Sequence, residues 1–339
     1  MRSIRLTSFR APLVEADVPR PAVGPCDVRV RIDACGICHS DAHYRAGFGN
    51  IAVPRTLGHE IAGTIEEIGD AVRDLKIGDR VAVHYLLSCG TCVGCTSGGE
   101  QFCIDGRMIG KHVDGGYAES IVVPERNAVP IPSRVPADVA AVMMCSTATA
   151  YHALRVAHAV RDRSVAILGL GGLGASALRL ARALDVAKIA ALDVVPEKLE
   201  MAKRLGAIAI DARTDVIEDG YDIAIDFTGD PRLIESVLRT LAPGGTLVLV
   251  ALSEAMITLN PYRDVLGKER RIVGCSDHTR AELVELFQLV SDGRLDLDGV
   301  ISKRIPLDAG AINAALDQLE GATTSIRTVI VPTAVPART

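Results

Sequence analysis

Four cysteines, Cys89, Cys92, Cys95 and Cys103, fall within fifteen residues in the spacing C-x2-C-x2-C-x7-C. Two intervening residues let neighbouring sulfurs face one point across a tight turn, and four thiolates fill the tetrahedron of a structural zinc. Glycines at 90, 94, 98 and 99 suit a knuckle with unusual backbone angles. A four-cysteine iron–sulfur cluster is the other chemistry open to this set. A second group is dispersed. Cys38 sits in Cys35-Gly36-Ile37-Cys38-His39-Ser40-Asp41, His59 and Glu60 in Gly58-His59-Glu60, and Cys145 much further on. Two sulfurs and one imidazole leave a fourth zinc position open, as a catalytic zinc requires. Residues so far apart do not establish a site by spacing alone.

Gly169-Leu170-Gly171-Gly172-Leu173-Gly174 reads GxGxxG. It follows the compact apolar run Ser164–Gly169 and opens a segment with helical character, which is the context a dinucleotide fingerprint requires. The glycines permit a tight turn and a close approach of backbone to pyrophosphate, and a helix N-terminus attracts phosphate charge. Asp193 ends the next strand-like run, 19 residues after Gly174. A carboxylate there accepts hydrogen bonds from the ribose 2′-hydroxyl and repels a 2′-phosphate, which favours NAD over NADP. Lys198 has two readings, a contact to the same ribose or a solvated helix lysine.

These groups need two kinds of scaffold. The first third alternates apolar and polar residues, as in Val28-Arg29-Val30-Arg31-Ile32, with Gly and Pro as punctuation; this is the period of half-buried strands. After about Thr147 the texture changes to strand–helix alternation. Strands are expected at 164–169, 189–193, 207–210, 222–226, 246–250 and 271–274, and helices at 172–184, 197–205 and 233–241. That alternation implies a parallel sheet with helices on both faces. From about Cys275 helices are expected at 280–291 and 309–319 and strands at 301–305 and 327–331, with a disordered tail at 332–339. The expected architecture is α/β: a doubly wound parallel-sheet domain over 148–273, and a mainly β domain over 1–147 to which 274–339 returns.

Composition narrows the partners. A chain of 339 residues with 48% hydrophobic residues buries a full core, and with no Trp that core must be built from Val, Leu, Ile and Ala. The net charge is −5, with no basic run interleaved with aromatics, so nucleic acid is not an expected partner. Met1 to Arg10 lacks the apolar segment and cleavage site of a signal peptide, and no apolar stretch reaches 18 residues. A cytoplasmic protein without membrane contact is expected, and nine cysteines there point to metal or catalysis rather than disulfides.

Taken together, GICHSD, GHE, the four-cysteine lobe and GLGGLG resemble, in order and over nearly the whole chain, the medium-chain zinc-dependent alcohol dehydrogenases. The resemblance implies a GroES-like catalytic domain beside a Rossmann domain, two zinc ions per chain, and hydride transfer between an alcohol and NAD. It implies that Cys38, His59 and Cys145 bind the catalytic zinc, the Cys2His set known for alcohol dehydrogenases. Asp41 and Glu60 would support those ligands, and Cys89, Cys92, Cys95 and Cys103 would hold the structural ion. Ser40 and His43 would form a proton relay through the coenzyme ribose. Thr149 and Leu173 would press on the nicotinamide, and Tyr85 and Leu86 would line an apolar substrate pocket. Arg327 and His39 match family positions that meet the cofactor phosphates; each has an ordinary surface residue as its other reading. Cys35 reads as packing. The short segment between Cys103 and Tyr117 is similar to that of bacterial and yeast tetramers, so a homotetramer is expected. The competing readings are a polyol or sugar dehydrogenase, a metal-free quinone reductase and a non-catalytic NAD- or zinc-binding protein. The complete cysteine lobe, Cys145 and the Ser40–His43 pair count against them.

Overall fold

The computed structural model describes residues 1–215, 217–319 and 326–332. Residues 333–339, most of the tail expected to be disordered, lie outside them. Two compact units are formed. The first comprises Met1–Cys145, Thr279–Ser291 and Asp298–Thr339, and the second Ser146–His278 and Asp292–Leu297.

In the first unit, Asp27–Ile37 is the central strand. Val28, Val30, Ile32 and Ala34 face the core while Arg31 is exposed, so the sequence alternation translates into one buried face. Arg29 breaks the pattern, because its Nε pairs at 2.8 Å with Glu67 on the neighbouring strand. The sheet runs Ala128–Pro130, Arg80–Val83, Glu60–Ile68, Asp27–Ile37, Arg327–Ile330, Ile301–Ile305, and Ser120–Pro124 also pairs with the central strand. Two antiparallel registers matter for the chemistry: Gly36 opposes Glu60, and Val329 opposes Gly36. Helix α1 (His39–Ala46) follows the central strand, with Cys38 as its N-cap and the Asp41 side chain accepting from the Cys38 N–H. A positive φ at Gly47 ends it.

In the second unit, six parallel strands, β1 (Ser164–Leu168), β2 (Lys188–Asp193), β3 (Ile208–Asp211), β4 (Tyr221–Asp226), β5 (Leu241–Leu249) and β6 (Arg271–Gly274), lie in the order β3-β2-β1-β4-β5-β6. This is the 3-2-1-4-5-6 order of a doubly wound dinucleotide-binding sheet. Helices α2 (Gly172–Ala183), α3 (Pro196–Arg204) and α4 (Pro231–Thr240) connect its strands. Proline occupies the first turn of α3 and α4, where its missing N–H costs nothing. β1, β2 and β4 are buried on both faces by Ala, Ile, Leu and Val, as a covered parallel sheet demands.

Three boundaries differ from the sequence expectation. β5 starts at Leu241, five residues before Thr246, because Leu241 pairs with Tyr221 and an irregularity then absorbs the Pro243-Gly244 step. Cys145 sits in a π-helical turn, Met143–Thr147, where the chain leaves the first unit. The return to that unit is interrupted by Asp292–Leu297, where Leu295 and Leu297 are buried and the Arg294 guanidinium donates to the last carbonyl of α2, Ala183 O, at 3.0 Å.

Candidate active site

The register of the first sheet brings chemically distinct residues to one end. Cys38 follows the central strand, His59 immediately precedes Glu60–Ile68, and Arg327 opens the strand that returns on the other side. Cys145 comes from the widened π turn, a local irregularity often found where a side chain must be re-aimed for function. One ligand atom from each of Cys38, His59, Glu60 and Cys145 lies within 4.8 Å of the others, and all four residues are buried. The two sulfurs are 3.9 Å apart.

The electrostatics of this cluster fit a divalent cation. The Cys145 thiol hydrogen-bonds to Cys38, with His59 adding to the effect, and together they hold Cys38 well below the ordinary thiol range; the same contact and burial push Cys145 up. Two sulfurs this close cannot both carry charge cheaply unless a cation lies between them, and a metal would take the place of the proton. Burial opposes charge on His59, yet Asp41 and Cys38 raise its pKa well above the ordinary value. Its Nδ1 is buried without a hydrogen bond, 3.6 Å from Asp41 Oδ1. Two sulfurs, an imidazole and a carboxylate suit zinc.

The groups behind the ligands are equally ordered. Asp41 accepts from Cys38 N at 2.9 Å, Gly58 N at 3.1 Å and the Tyr117 hydroxyl at 2.9 Å, all buried. Tyr117 carried no signal in the sequence beyond the rule that a buried tyrosine hydroxyl needs a partner. Glu60 is fully buried and ion-paired with Arg327, itself 4% exposed. Burial raises the Glu60 pKa to about 7 against the opposing pull of Arg327. Gly36 makes the room: a Cβ there would stand 1.9 Å from Glu60 Oε2. Arg327, expected to meet phosphate, is thereby tied to the metal-ligand cluster through Glu60. Cys35 packs in the apolar core, as a small hydrophobe does.

Helix α1 carries His39, Ser40 and His43. Ser40 and His43 share a face at i, i+3. Ser40 Oγ is 3.8 Å from Cys38 Sγ, and His43 meets Phe48 edge-on at 6.1 Å between centroids. His39 and His43 line a cavity of about 660 Å³ together with Arg10 and Arg45. Tyr85 stands edge-on to His59 at 5.1 Å, and Tyr85 and Leu86 are both buried.

The lobe at 89–103 gathers its four sulfurs within the same 4.8 Å limit. Cys92 Sγ is 3.6 Å and Cys89 Sγ 3.9 Å from Cys95 Sγ. Backbone N–H groups of Thr91 and Cys92 donate to Cys89 Sγ, and that of Cys89 donates to Cys103 Sγ at 3.2 Å. The Thr91 N–H, its hydroxyl and the Cys92 N–H hold the Cys89 thiol down to about 6, while burial lifts Cys95 to about 11. N–H donors aimed at sulfur stabilise thiolate, the form a metal requires. Gly90 and Gly98 have φ of +79° and +82°, and at Gly90 a Cβ would also strike the Arg126 guanidinium.

In the second unit the glycine loop joins β1 to α2. Gly169 has φ +87°, and a Cβ on Gly174 would lie 1.8 Å from Gly169 O, so two glycines are demanded by turn and packing. At Gly171 a Cβ would meet no atom within 4 Å. Packing does not require glycine there, whereas close approach of a pyrophosphate would. Gly171 caps α2 without a side-chain hydrogen bond, which leaves the N–H groups of Gly172, Leu173 and Gly174 for an anion. Asp193 Oδ2 accepts from Leu170 N in this loop at 2.7 Å, and Oδ1 accepts from Val194 N and Val195 N. Three donors leave a carboxylate with capacity for a further one. Lys198 is 9% exposed, with Nζ 4.0 Å from Asp193 Oδ2, so it is no solvated helix lysine. Thr149 is buried in helix Ala148–Val156.

Known proteins resemble the chain throughout. Residues 24–133 match the alcohol dehydrogenase GroES-like domain and residues 172–292 the zinc-binding dehydrogenase domain. An NAD-dependent alcohol dehydrogenase of Sulfurisphaera tokodaii is 34% identical over 98% of this chain and 100% of its own. An NADP-dependent alcohol dehydrogenase C 1 of Mycolicibacterium smegmatis is 36% identical over 79% of this chain and 81% of its own. The solved alcohol dehydrogenase of Aeropyrum pernix superposes with a TM-score of 0.88 at 32% identity, covering 98% of this chain and 100% of that one.

Proposed function

The chain belongs to the zinc-dependent medium-chain alcohol dehydrogenase family, and from that premise we propose that its own residues divide the reversible reaction R1R2CHOH + NAD⁺ → R1R2C=O + NADH + H⁺, with a primary or secondary alcohol giving an aldehyde or ketone, as follows. Cys38, His59 and Cys145 hold a catalytic zinc, with Glu60 braced behind them by Arg327, and Cys89, Cys92, Cys95 and Cys103 hold a structural one. When bound, the zinc supplies Lewis acidity toward the alcohol oxygen, and the nicotinamide supplies the hydride acceptor. The Ser40 hydroxyl oxygen accepts the alcohol proton while the hydroxyl gives up its own toward His43. The His43 imidazole relays it to water. Asp41, anchored by Tyr117 and two backbone amides, stands 3.6 Å from His59 Nδ1, where it can orient the ring electrostatically as carboxylate partners of metal-bound histidines do.

In the second unit, Gly169, Gly171, Gly172, Leu173 and Gly174 receive the pyrophosphate at the start of α2, and Asp193 and Lys198 receive the adenosine ribose. Asp193 disfavours a 2′-phosphate, so NAD is the preferred coenzyme. His39 and Arg327 support the phosphates, and Thr149 and Leu173 support the nicotinamide. The protein works as a cytoplasmic homotetramer; among the described residues no helix is long and apolar enough to cross a membrane.

One observation carries this reading: two sulfurs, an imidazole and a carboxylate converge within 4.8 Å at a buried point beside Ser40. Metal analysis of the purified protein, with NAD and NADP reduction measured against a panel of alcohols, tests it. Two zinc ions per chain and NAD-linked turnover are expected. One or no zinc, or equal kcat/KM with NADP, contradicts the corresponding part.

A further inference from the structure

One carboxylate of the cysteine lobe joins three segments of the first unit that meet beside the metal site. Glu100 follows Gly98-Gly99 and opens a short turn, Glu100–Phe102, which ends on Cys103, one of the four clustered sulfurs. Its Oε1 accepts from the N–H of Arg280, the first residue of helix Arg280–Ser291, and lies 3.8 Å from His84 Nδ1. Its Oε2 is 3.7 Å from the Arg126 guanidinium. The Glu100 side chain is only 15% exposed, and His84 is buried. Arg126 closes the circuit: its Nη1 donates to Ser88 O at 3.0 Å, and its carbonyl accepts from Arg280 Nε at 2.8 Å. The next residue, Asn127, donates from Nδ2 to His84 O at 2.7 Å and to Leu86 O at 2.8 Å, so it grips the backbone on both sides of Tyr85. Tyr85 is the ring that stands edge-on to His59 at 5.1 Å.

A carboxylate withdrawn from water is costly unless donors and cations surround it, and Glu100 has an N–H, a guanidinium and an imidazole around it. Two of these three belong to the residues that hold Tyr85. His84 precedes it in the chain, and Arg126 precedes Asn127. Charged contacts in a site of low dielectric are stiff, so a shift of the lobe reaches the Tyr85 ring through one residue on either route. We propose that Glu100 is a positioning residue: it sets the placement of Tyr85 against His59, so the cysteine lobe governs how well the alcohol is bound at the metal site. This rests on the dehydrogenase reading above and adds a residue to it. The ring contacts bound alcohol before and during reaction alike. Its displacement therefore raises KM and leaves kcat in place.

The test measures kcat and KM for a series of alkanols in the wild type, Glu100→Ala and Glu100→Gln, with zinc content checked in each. Glu100→Ala should raise KM about fivefold to thirtyfold, the usual effect of losing one charge-assisted contact, with kcat and zinc content held. Glu100→Gln keeps an acceptor for the Arg280 N–H but no charge toward Arg126 and His84, so it should raise KM by less; being isosteric, it serves if the alanine variant fails to fold. In a Tyr85→Leu background, Glu100→Gln should no longer move KM, because its effect passes through the ring. A second readout needs no turnover. Tyr85 is one of six tyrosines. In protein carrying 3-fluorotyrosine, its fluorine resonance, assigned with Tyr85→Phe, should shift in Glu100→Gln while that of Tyr221 in the second unit stays. An unchanged KM in both variants, a fall in kcat instead, the same KM rise without Tyr85, or a lowered Tm with the Tyr85 resonance in place overturns the inference and leaves the dehydrogenase reading intact. A wild type that oxidises no alcohol overturns the dehydrogenase reading, and the Tyr85 resonance then decides the positioning by itself.

Discussion

At the scale of single residues, the proposed Ser40–His43 relay is what would separate a working enzyme from a protein that merely binds zinc and coenzyme. Ser40 stands 3.8 Å from Cys38 Sγ, beside the metal-ligand cluster. Ser40→Ala is therefore expected to lower the oxidation rate by about 10²–10⁴-fold, the usual range for a positioned acid–base group, with zinc content and NAD binding retained. His43→Gln should be milder, worst at low pH and partly rescued at high pH, where hydroxide takes the proton directly. Pre-steady-state rates across pH read both, and wild-type oxidation by Ser40→Ala with zinc bound would show that the proton leaves another way. Asp193 holds Leu170 N in the glycine loop, and the proposed reading gives its carboxylate a second task, disfavouring a 2′-phosphate. Asp193→Gly should raise the Kd for NAD and narrow the NAD-to-NADP ratio of kcat/KM; a ratio left unchanged would remove Asp193 from coenzyme selection.

At the scale of elements, the two proposed metal centres rest on different supports. The lobe at 89–103 is a short loop closed on itself, organised by N–H groups pointing at sulfur and by two glycines with positive φ. Cys89→Ser should cost it the ion and lower Tm by several degrees, roughly what a loss of 1–2 kcal/mol does in a protein of this size, with a smaller effect on kcat. Cys38→Ser should do the reverse. Calorimetry, metal content and kcat measured on both variants test the contrast, and equal losses of Tm and kcat in the two would dissolve it. The lobe was legible because its ligands are local, and so was the β1–loop–α2 unit, where four glycines and a strand lie within a dozen residues. The π turn that delivers Cys145 was not, because no local residue pattern distinguishes it from an ordinary helix turn.

At the scale of the molecule, the homotetramer expectation predicts about four times the 35.8 kDa chain mass by light scattering, independent of protein concentration in the micromolar range; a monomer or dimer mass refutes it. The six strands of the second unit take the 3-2-1-4-5-6 order that strand–helix alternation allows, since right-handed crossovers leave few other arrangements. Sequence by itself determined the α/β class, the cysteine lobe, the glycine loop and the acid that ends β2, because each depends on contacts within about twenty residues. Only the tertiary structure decided that Glu60 is buried on Arg327 instead of facing water, that Tyr117 completes the partners of Asp41, and that Glu100 of the lobe meets the Arg280 N–H. The reason is register. Gly36 lies opposite Glu60 on one side and Val329 on the other, so residues nearly three hundred positions apart meet through pairings that no local pattern encodes.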